Sequence, residues 1–421
     1  MTVVSRILPR DGRPKSLADH RAMFGAPDSS GEGGTDLIAT VRAARLTGRG
    51  GASFPTATKL AAVAARSDRA PVVVINGCES EPASSKDKTL LRVVPHLVFD
   101  GAARAAAAVG ARRVILVIER DRSSSMEDAR RAIAERATER GLPVELVEVP
   151  QRFVSGEEGA IVHHLNGGDA KPTATPPRIF ERGVDGRPTL LSNVETFAHI
   201  AQIATFGAAW FREMGTADEP GTTLVTVSGA VHAPGVYEVP MGTSLRELVL
   251  TAGGATHRVA ALLIGGYYGS WLSQASARDA LLSNESLRPS GAGLGCGAVV
   301  VFPEGECGLH ATADILAWLS GEIAGQCGPC VHGLPAIARA TRALAAGAPG
   351  DAAVRLLHRW SAQLDGRGGC RMPDGAVRLV RSALAVFAED VARHSRGLPC
   401  PAPATQDLIR LPPPDPDRGW R

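Results

Sequence analysis

Three cysteines in the second half of the chain have the spacing of ligands for iron. Cys327 and Cys330 stand in "EIAGQCGPCVHGL", and Cys370 follows forty residues later in "GRGGCRMPDGA". Thiolate sulfur is the usual ligand of iron–sulfur clusters. The residue three positions before Cys327 is Ala324, which cannot coordinate a metal. The pattern therefore predicts either a cluster site with three cysteines or the remnant of one.

A glycine-rich segment, "GRGGASFPTATKL" at 48–60, has the composition of an anion-binding loop. Glycines allow backbone N–H groups to approach a phosphate closely, and a helix that starts next to them adds a favourable dipole. Lys59 is placed to neutralise such a phosphate. The segment matches neither a Walker loop nor a dinucleotide fingerprint, so a flexible turn is the alternative interpretation.

The segment "INGCESEPASSKDK" at 75–88 directly follows a buried β-strand. Ligands of open α/β sheets bind at the carboxyl ends of parallel strands. The carboxylates of Glu79 and Glu81, close to Asn76, suit hydroxyl and amide groups better than phosphate. A solvated acidic loop is the alternative.

A third polar segment, "FVSGEEGAIVHHL" at 153–165, follows another predicted strand. Gly156, Glu157 and Glu158 open a helix here, which would place them beside the other two segments. His163 and His164 are expected to be ordinary helix residues.

The elements that position these segments alternate between strand and helix. Short β-branched runs at 71–77, 112–120 and 143–150 predict buried strands, and the stretches between them have helical spacing. The predicted fold class is thus an α/β domain with a largely parallel sheet.

The pattern changes near residue 220. "LVTVSG" and "GVYEVP" predict two strands, and a capped helix starting at Thr243 or Ser244 follows. From about 308 the chain predicts a C-terminal helical bundle, with stretches at 311–325, 334–347, 351–364 and 375–395. The Pro-rich tail is predicted to be extended or disordered.

The composition excludes several functional classes. A net charge of +3 gives no argument for a nucleic-acid surface, and no apolar run is long enough for a membrane span. The first residues lack the apolar core of a signal peptide, and seven cysteines in 421 residues do not form a disulfide framework. We expect a cytoplasmic protein, either free or peripheral to a membrane complex.

Five segments in this order resemble one family, the flavin-bearing, NADH-binding subunit of respiratory complex I, with relatives in NAD-linked hydrogenases and formate dehydrogenases. They are "GRGGASFPTATK", "NGCESEP", "FVSGEEGA", "GRPTLLSNVET" and "GLGCGAVVVF", followed by "GQCGPC" and Cys370. The resemblance extends from about 35 to 390 and includes a β-grasp module after Val225.

The resemblance implies FMN as cofactor, NADH as substrate and an iron–sulfur cluster as the next electron carrier. Asn76, Glu79 and Glu81 match residues near the flavin ribityl chain and the incoming nicotinamide nucleotide, and Glu79 is the predicted catalytic residue. The matching cofactor-binding positions are Gly48, Arg49, Gly50, Gly51, Phe54, Lys59, Asn76, Glu79, Glu81, Gly156, Glu157, Glu158, Asn193 and Thr196. The implied metal ligands are Cys327, Cys330 and Cys370.

The sequence departs from the family pattern at several positions. Cys78 replaces an acidic residue, which makes this loop similar to that of an Rnf-type ferredoxin:NAD oxidoreductase. Ala62 and Arg178 align with aromatic residues that stack on NADH in the family. Loss of two stacking contacts predicts weaker nucleotide binding, since each contributes about 0.5–1.5 kcal/mol beyond buried area.

Ala324 leaves three possibilities for the cluster. A 4Fe–4S cluster could use a substitute fourth ligand, for which His332 and Cys307 are the nearest candidates in the sequence. The three cysteines could hold a 3Fe–4S or labile 4Fe–4S centre. The site could also be degenerate.

The leading hypothesis is a flavoprotein oxidoreductase of the NADH dehydrogenase type, one subunit of a larger enzyme, which passes electrons from NADH through FMN and an iron–sulfur centre to a ferredoxin-like acceptor. The alternatives are a stand-alone reductase and a non-catalytic scaffold or regulatory paralogue. The predicted domains are an extension at 1–34, the FMN/NADH domain at 35–218, the β-grasp module at 219–303, the helical bundle at 304–396 and the tail at 397–421.

Overall fold

The fold has two β-sheets followed by a set of helices. A computed structural model describes residues 4–25, 36–66, 69–120, 124–139, 141–400, 408–413 and 419–421. The description below concerns these residues.

The first sheet has four strands in the order β3-β2-β1-β4, and all neighbouring pairs are parallel. The strands are β1 (Val72–Asn76), β2 (Arg113–Arg120), β3 (Val144–Pro150) and β4 (Thr189–Asn193). Valine, isoleucine and leucine fill β1 and β2, whose central residues are buried on both faces. This continuous apolar pattern is typical of a parallel sheet covered on both sides.

Eight helices belong to this part of the chain. They are α1 (Leu17–Phe24), α2 (Leu37–Ala44), α3 (Thr56–Ala64), α4 (Lys86–Val93), α5 (Pro95–Val109), α6 (Ser125–Glu135), α7 (Glu158–Leu165) and α8 (Val194–Arg212). The centre is the packing of α5 against α8, where the backbones approach so closely that a Cβ on Gly101 would lie 1.8 Å from the Phe197 carbonyl oxygen. Only glycine fits at this crossing.

The second sheet forms the module predicted after residue 219. Its strands are β5 (Thr222–Gly229), β6 (Gly235–Pro240), β7 (Val259–Ile264), β8 (Ser270–Ser273) and β9 (Ala298–Pro303), in the order β6-β5-β9-β7-β8. Three short helices accompany it, α9 (Leu245–Thr251), α10 (Gln274–Arg278) and α11 (Asn284–Leu287). Of the two predicted caps, Ser244 is the one used, and it forms a capping box with Glu247.

The C-terminal region is helical, as predicted. It contains α12 (Gly308–Gly321), α13 (Leu334–Ala345), α14 (Ala352–Leu364), α15 (Met372–Val386) and α16 (Ala388–His394). The last predicted stretch is therefore two helices, separated at Phe387. The ring of Phe387 packs 5.1 Å from that of Trp271, which joins these helices to the second sheet.

The predicted domain boundaries after 218, 303 and 396 fall between elements and stay predictions, and the boundary after 34 lies outside the described residues. Described residues near both ends of the chain pack on the folded regions. Glu238 on β6 accepts hydrogen bonds from the backbone of Arg6, Ile7 and Leu8. At the other end, Ile409 is buried, so 408–413 is not a free tail. Residues 401–407 and 414–418 of the predicted tail lie outside the described residues.

Candidate functional site

The predicted cofactor-binding residues meet where β1 and β4 end. Asn76 and Asn193 are paired in register as the last residues of these neighbouring strands. The glycine loop lies against this edge, because the Arg49 N–H donates to Thr196 Oγ1 over 3.0 Å. A Cβ on Gly50 would lie 3.4 Å from Cβ of Asn193. The sheet edge and the loop therefore form one surface.

The glycine loop has a defined conformation. The Gly48 N–H donates to the Phe54 carbonyl over 2.8 Å, which closes the turn. Gly51 has φ +104° and lies close to Gly295 of the second sheet's loop, so a side chain there would be strained. Phe54, at the end of the turn, is half exposed.

The start of α3 offers groups for an anion. No side chain caps this helix, and among the described residues Thr56 Oγ1 is buried without a hydrogen-bond partner. Lys59 is one turn further along; its Nζ lies 3.3 Å from Glu158 Oε2 and donates to the Leu191 carbonyl. The Thr56 N–H donates to the Leu46 carbonyl, so the N–H groups that follow it in the first turn, close to Lys59, are the ones that suit a phosphate.

Asn76 fixes the neighbouring loops. Its Nδ2 donates to the Gly156 carbonyl over 2.9 Å, and its Oδ1 accepts from the Cys78 N–H. The loop after β1 and the loop after β3 are therefore joined at the carboxyl end of the sheet.

Glu79, the predicted catalytic residue, is buried and caps α4. One carboxylate oxygen accepts from Ser84 Oγ over 2.6 Å and from the Asp87 N–H, and the other accepts from the Lys88 N–H. Both oxygens are thus engaged within their own loop. This geometry supports a positioning role, and its catalytic role stays a prediction.

Glu81 reaches the second sheet. It is buried and accepts backbone hydrogen bonds from Ala83, Tyr267 and Tyr268. Burial raises the pKa of its carboxyl to about 7, although these hydrogen bonds oppose the shift. The turn it contacts includes Gly266, where a Cβ would lie 2.5 Å from the carboxyl carbon of Glu81.

The Gly156–Glu158 segment begins α7. Glu157 is the N-cap residue and accepts from the Gly159 and Ala160 N–H groups over 2.8 and 3.1 Å. Burial raises the pKa of Glu157, although these two hydrogen bonds oppose the shift. Glu158 instead faces Lys59 as described above.

A buried charged group in the same place was not predicted from the sequence. Lys86 Nζ lies 2.8 Å from Asp87 Oδ1, 3.0 Å from Glu195 Oε2 and 3.1 Å from Asn193 Oδ1. Burial raises the pKa of Asp87 to about 7. Burial would also raise the pKa of Glu195, but Lys86, His199 and Arg49 together outweigh this effect and lower that pKa to about 2. Lys86 and Glu195 both lie within sequence segments quoted above, and this position was the signal that could have indicated them as site residues.

Two thiols also border this region. Cys78 is buried and Cys296 is half-buried, and burial raises the pKa of each thiol well above its ordinary value. Cys296 donates to the Gly265 carbonyl over 3.4 Å. Both are therefore neutral thiols in this environment.

The three predicted metal ligands lie near one another at one end of the helical region. Cys330 is buried and lies in a π-helical turn, Pro329–Gly333, that leads into α13, and its N–H donates to the Cys327 carbonyl. Cys370 stands just before α15. Burial raises the pKa of its thiol, and the neighbouring Cys330, Glu157 and Cys327 groups raise it further. The cysteines thus lie close to the Glu157 loop.

The sequence left two candidates for a fourth ligand. Cys307 stands at the other end of α12, whose 14 residues span about 21 Å, and is thus not a ligand of this site. His332 is exposed in the same π-helical turn as Cys330 and stays a prediction. Ala324 is buried.

The two positions that align with lost aromatic residues bear no ring. Ala62 is half-buried on α3, and Arg178 is exposed. Phe180, two residues beyond Arg178, packs its ring against the Arg66 guanidinium at 5.8 Å.

Comparison with known proteins gives matches over most of the chain. The family model for the Nuo51 FMN-binding domain matches residues 41–202, the SLBB domain matches 224–266, and the NADH-ubiquinone oxidoreductase-F iron-sulfur binding region matches 310–394. The F 2 subunit of the NADH-quinone oxidoreductase of Rhizobium meliloti is 31% identical over 87% of this chain and 90% of its own length. The F-type subunit of the same enzyme of Mycobacterium tuberculosis is 32% identical over 87% of this chain and 86% of its own length. The chain belongs to the family of F-type subunits of NADH-quinone oxidoreductases.

A solved structure agrees with this assignment. A chain of the NAD+-reducing NiFe hydrogenase in its H2-reduced state superposes with a TM-score of 0.81 at 29% identity, covering 91% of this chain and 67% of that one. The predicted fold class and the predicted class of enzyme, an NADH dehydrogenase-type flavoprotein oxidoreductase, are confirmed. The comparisons give no support to the scaffold alternative.

The predicted cofactors are confirmed at a coarser level. The chain has the family's FMN-binding domain and its iron–sulfur-binding region. The type of cluster, the effect of Ala324 and the individual binding residues stay predictions. Within the described residues, no helix is both long enough and apolar enough to cross a membrane.

Proposed function

We propose that the chain binds FMN between the glycine loop and the ends of β1 and β4, takes electrons from NADH, and passes them through an iron–sulfur centre to a ferredoxin-like protein or another redox protein of the same complex. When bound, FMN supplies the conversion of a two-electron donor into single electrons. We also infer a cytoplasmic location, with the chain held in a complex by its redox partners. The relatives are named as subunits of NADH-quinone oxidoreductases, which supports this inference.

One loop carries this proposal, because it contacts both halves of the site. Gly156 accepts the hydrogen bond from Asn76 at the sheet edge, and Glu157 is an electrostatic neighbour of Cys370. The Phe153 N–H donates to Glu322 Oε2 over 3.0 Å, at the start of the cysteine segment. A flavin at the sheet edge and a centre at the cysteines would therefore be neighbours.

The residues present fit an FMN phosphate. Thr56 Oγ1 is a buried polar atom that lacks a partner among the described residues, and the first N–H groups of α3 have no side-chain cap. Lys59 would add a positive charge, at present balanced by Glu158. Gly50 and Gly51 carry no Cβ, which lets the loop pack closely against Asn193 and Gly295 and holds its backbone beside the sheet edge.

The residues present also fit an iron–sulfur centre with three cysteine ligands. Cys327, Cys330 and Cys370 supply thiolates, the donors that iron in such centres prefers. Ala324 supplies none, so one iron position would be vacant or bound by another group such as His332. Such a centre is expected to be oxygen-sensitive.

The test is FMN binding and NADH oxidation by the purified, flavin-reconstituted chain. Lys59→Ala should lower the affinity for FMN about tenfold or more, since a charged hydrogen bond contributes about 1.5–3 kcal/mol. Lys15→Ala is the matched control, because Lys15 pairs with Asp11 on the surface. The readouts are flavin fluorescence quenching and anaerobic bleaching of the flavin by NADH.

Two outcomes would contradict the proposal. A wild-type chain that neither retains nor rebinds FMN would exclude it. Equal loss of FMN in Lys59→Ala and Lys15→Ala would show that the phosphate site is elsewhere.

A further inference from the structure

Three metal-binding side chains converge at the end of α12 remote from the predicted cluster. Cys307 is the N-cap residue of α12, His394 is the last residue of α16, and Cys400 follows six residues later. Their ligand atoms all lie within 4.8 Å of one another. Cys307 Sγ is 3.7 Å from His394 Nε2, which is 3.1 Å from Cys400 Sγ.

These separations fit a tetrahedral zinc site. Zn–S bonds of about 2.3 Å and Zn–N bonds of about 2.0–2.1 Å place neighbouring N and S ligands about 3.5 Å apart. Two thiolates and one imidazole are a donor set that suits zinc. Cys307 and His394 are buried, as expected for a structural site.

The imidazole is already oriented for this role. His394 Nδ1 lies 3.2 Å from the carbonyl oxygen of Leu344 on α13. A proton on Nδ1 would donate to that carbonyl, which leaves Nε2 as the ligand atom facing both sulfurs. A backbone carbonyl that holds the second nitrogen is the usual support for a zinc-bound histidine.

Asp390, one helical turn before His394, borders this group of three and would become a fourth ligand if its side chain turned toward the metal. Asp390 Oδ1 lies 3.6 Å from Cys400 Sγ, and residues four apart share a helix face. The guanidinium of Arg393 contacts both Asp390 and Cys400, and the Cys400 N–H donates to His394 Nε2. Bonds to the metal would replace the contact of Arg393 with Cys400 and the hydrogen bond from the Cys400 N–H to His394.

We propose that Cys307, His394 and Cys400 bind one Zn2+ ion, with Asp390 as the fourth ligand. The metal would connect the start of α12, the end of α16 and the segment after it. It would thereby fasten the chain that continues to the buried Ile409. This site is separate from Cys327, Cys330 and Cys370 and does not depend on the electron-transfer function.

The experiment measures zinc and iron per chain in full-length protein, reconstituted with both metals under anaerobic conditions. We expect about one zinc per chain, reduced at least tenfold in Cys400→Ala and in His394→Gln. Cys370→Ser is the matched control, since it should lower iron and leave zinc unchanged. Substitution of the wild type with Co2+ should give the thiolate-to-cobalt absorption of a tetrahedral site, a readout that needs no variant.

Three results would overturn the proposal. The first is a wild-type chain that binds less than a tenth of an equivalent of zinc and shows no cobalt–thiolate absorption. The second is full zinc retention in folded Cys400→Ala, checked by circular dichroism. The third is a Cys307–Cys400 disulfide that remains intact, without bound zinc, when the protein is reduced and then supplied with zinc.

Discussion

Three glutamates in the candidate site, of which Glu79 and Glu81 are buried, have different tasks at the residue scale. Glu79 and Glu157 each accept backbone N–H groups at the start of a helix, which orients their loops. Glu81 accepts N–H groups from the turn of the second sheet, and burial raises the pKa of its carboxyl to about 7. Its charge therefore changes near neutral pH, and the stability of the folded chain should depend on it.

Glu81→Gln should change how stability depends on pH. The pKa of Glu81 is raised in the folded state, so the folded chain holds its proton more tightly than the unfolded one. The wild type should then lose stability relative to Glu81→Gln as pH rises from about 4.5 to about 7, and the difference should stay constant above that. The total change should be about 3 kcal/mol, measured by urea unfolding of flavin-free protein.

Glu304→Gln is the control for this measurement, because Glu304 is half exposed and pairs only with Arg258 among the contacts described. Its difference from the wild type should vary little with pH. A Glu81→Gln difference that is flat from pH 5 to 8 would show that this carboxyl does not carry a raised pKa.

At the scale of elements, the start of α8 connects the two sheets. Glu195, in its first turn, accepts from Thr223 Oγ1 over 3.0 Å and from the Leu224 N–H over 2.9 Å, both on β5. The same carboxylate lies 3.0 Å from Lys86 Nζ at the start of α4. One side chain thus joins the α/β domain to the β-grasp module.

Glu195→Gln should destabilise the chain strongly. The substitution leaves the buried Lys86 with Asp87 as its remaining anionic partner, and breaking a buried ion pair costs about 3–5 kcal/mol. Glu213→Gln is the matched control; Glu213 pairs with Arg6 on the surface, and its loss should cost less than about 1 kcal/mol. Urea unfolding measures both, and equal midpoints would refute the predicted connection.

At the scale of the whole molecule, α12 separates two groups of cysteines. Cys307 lies at its first turn with His394 and Cys400, while Cys327 and Cys330 follow its last turn and meet Cys370 from the start of α15. The seven cysteines are thereby divided between the predicted cluster site, the proposed zinc site and two further thiols, the buried Cys78 and the half-buried Cys296.

Iron binding should depend only on the cysteines beyond the last turn of α12, which are Cys327, Cys330 and Cys370. Anaerobic reconstitution should give about three or four irons per chain, and Cys370→Ser should abolish most of this. Ala324→Cys supplies a fourth thiol and should slow cluster loss in air. Iron and sulfide analysis with EPR measures both, and Cys307→Ser is the control that should keep its iron. Iron that never binds, or that survives in Cys370→Ser, would show that the cysteines are a relic.

The sequence alone determined the fold class, the order of the binding segments and the family. These follow from local signals, since β-branched runs, glycine clusters and cysteine spacing act over a few residues. β1, β2 and β3 lie within the predicted runs, and β6 matches "GVYEVP" residue for residue. The cofactor class could be predicted because the motifs that bind it are short and contiguous.

The tertiary structure decided the tasks of individual side chains. Glu79 and Glu157 cap helices, Glu195 joins two sheets, and Cys307 meets His394 and Cys400 across 87 and 93 positions of sequence. The helix-start partners of Glu79 and Glu157 are close to them in the sequence, but the partners of Glu195 on β5 and of Cys307 are distant. Burial and opposing charges set the pKa of a carboxyl or thiol, and both arise only when distant segments pack together.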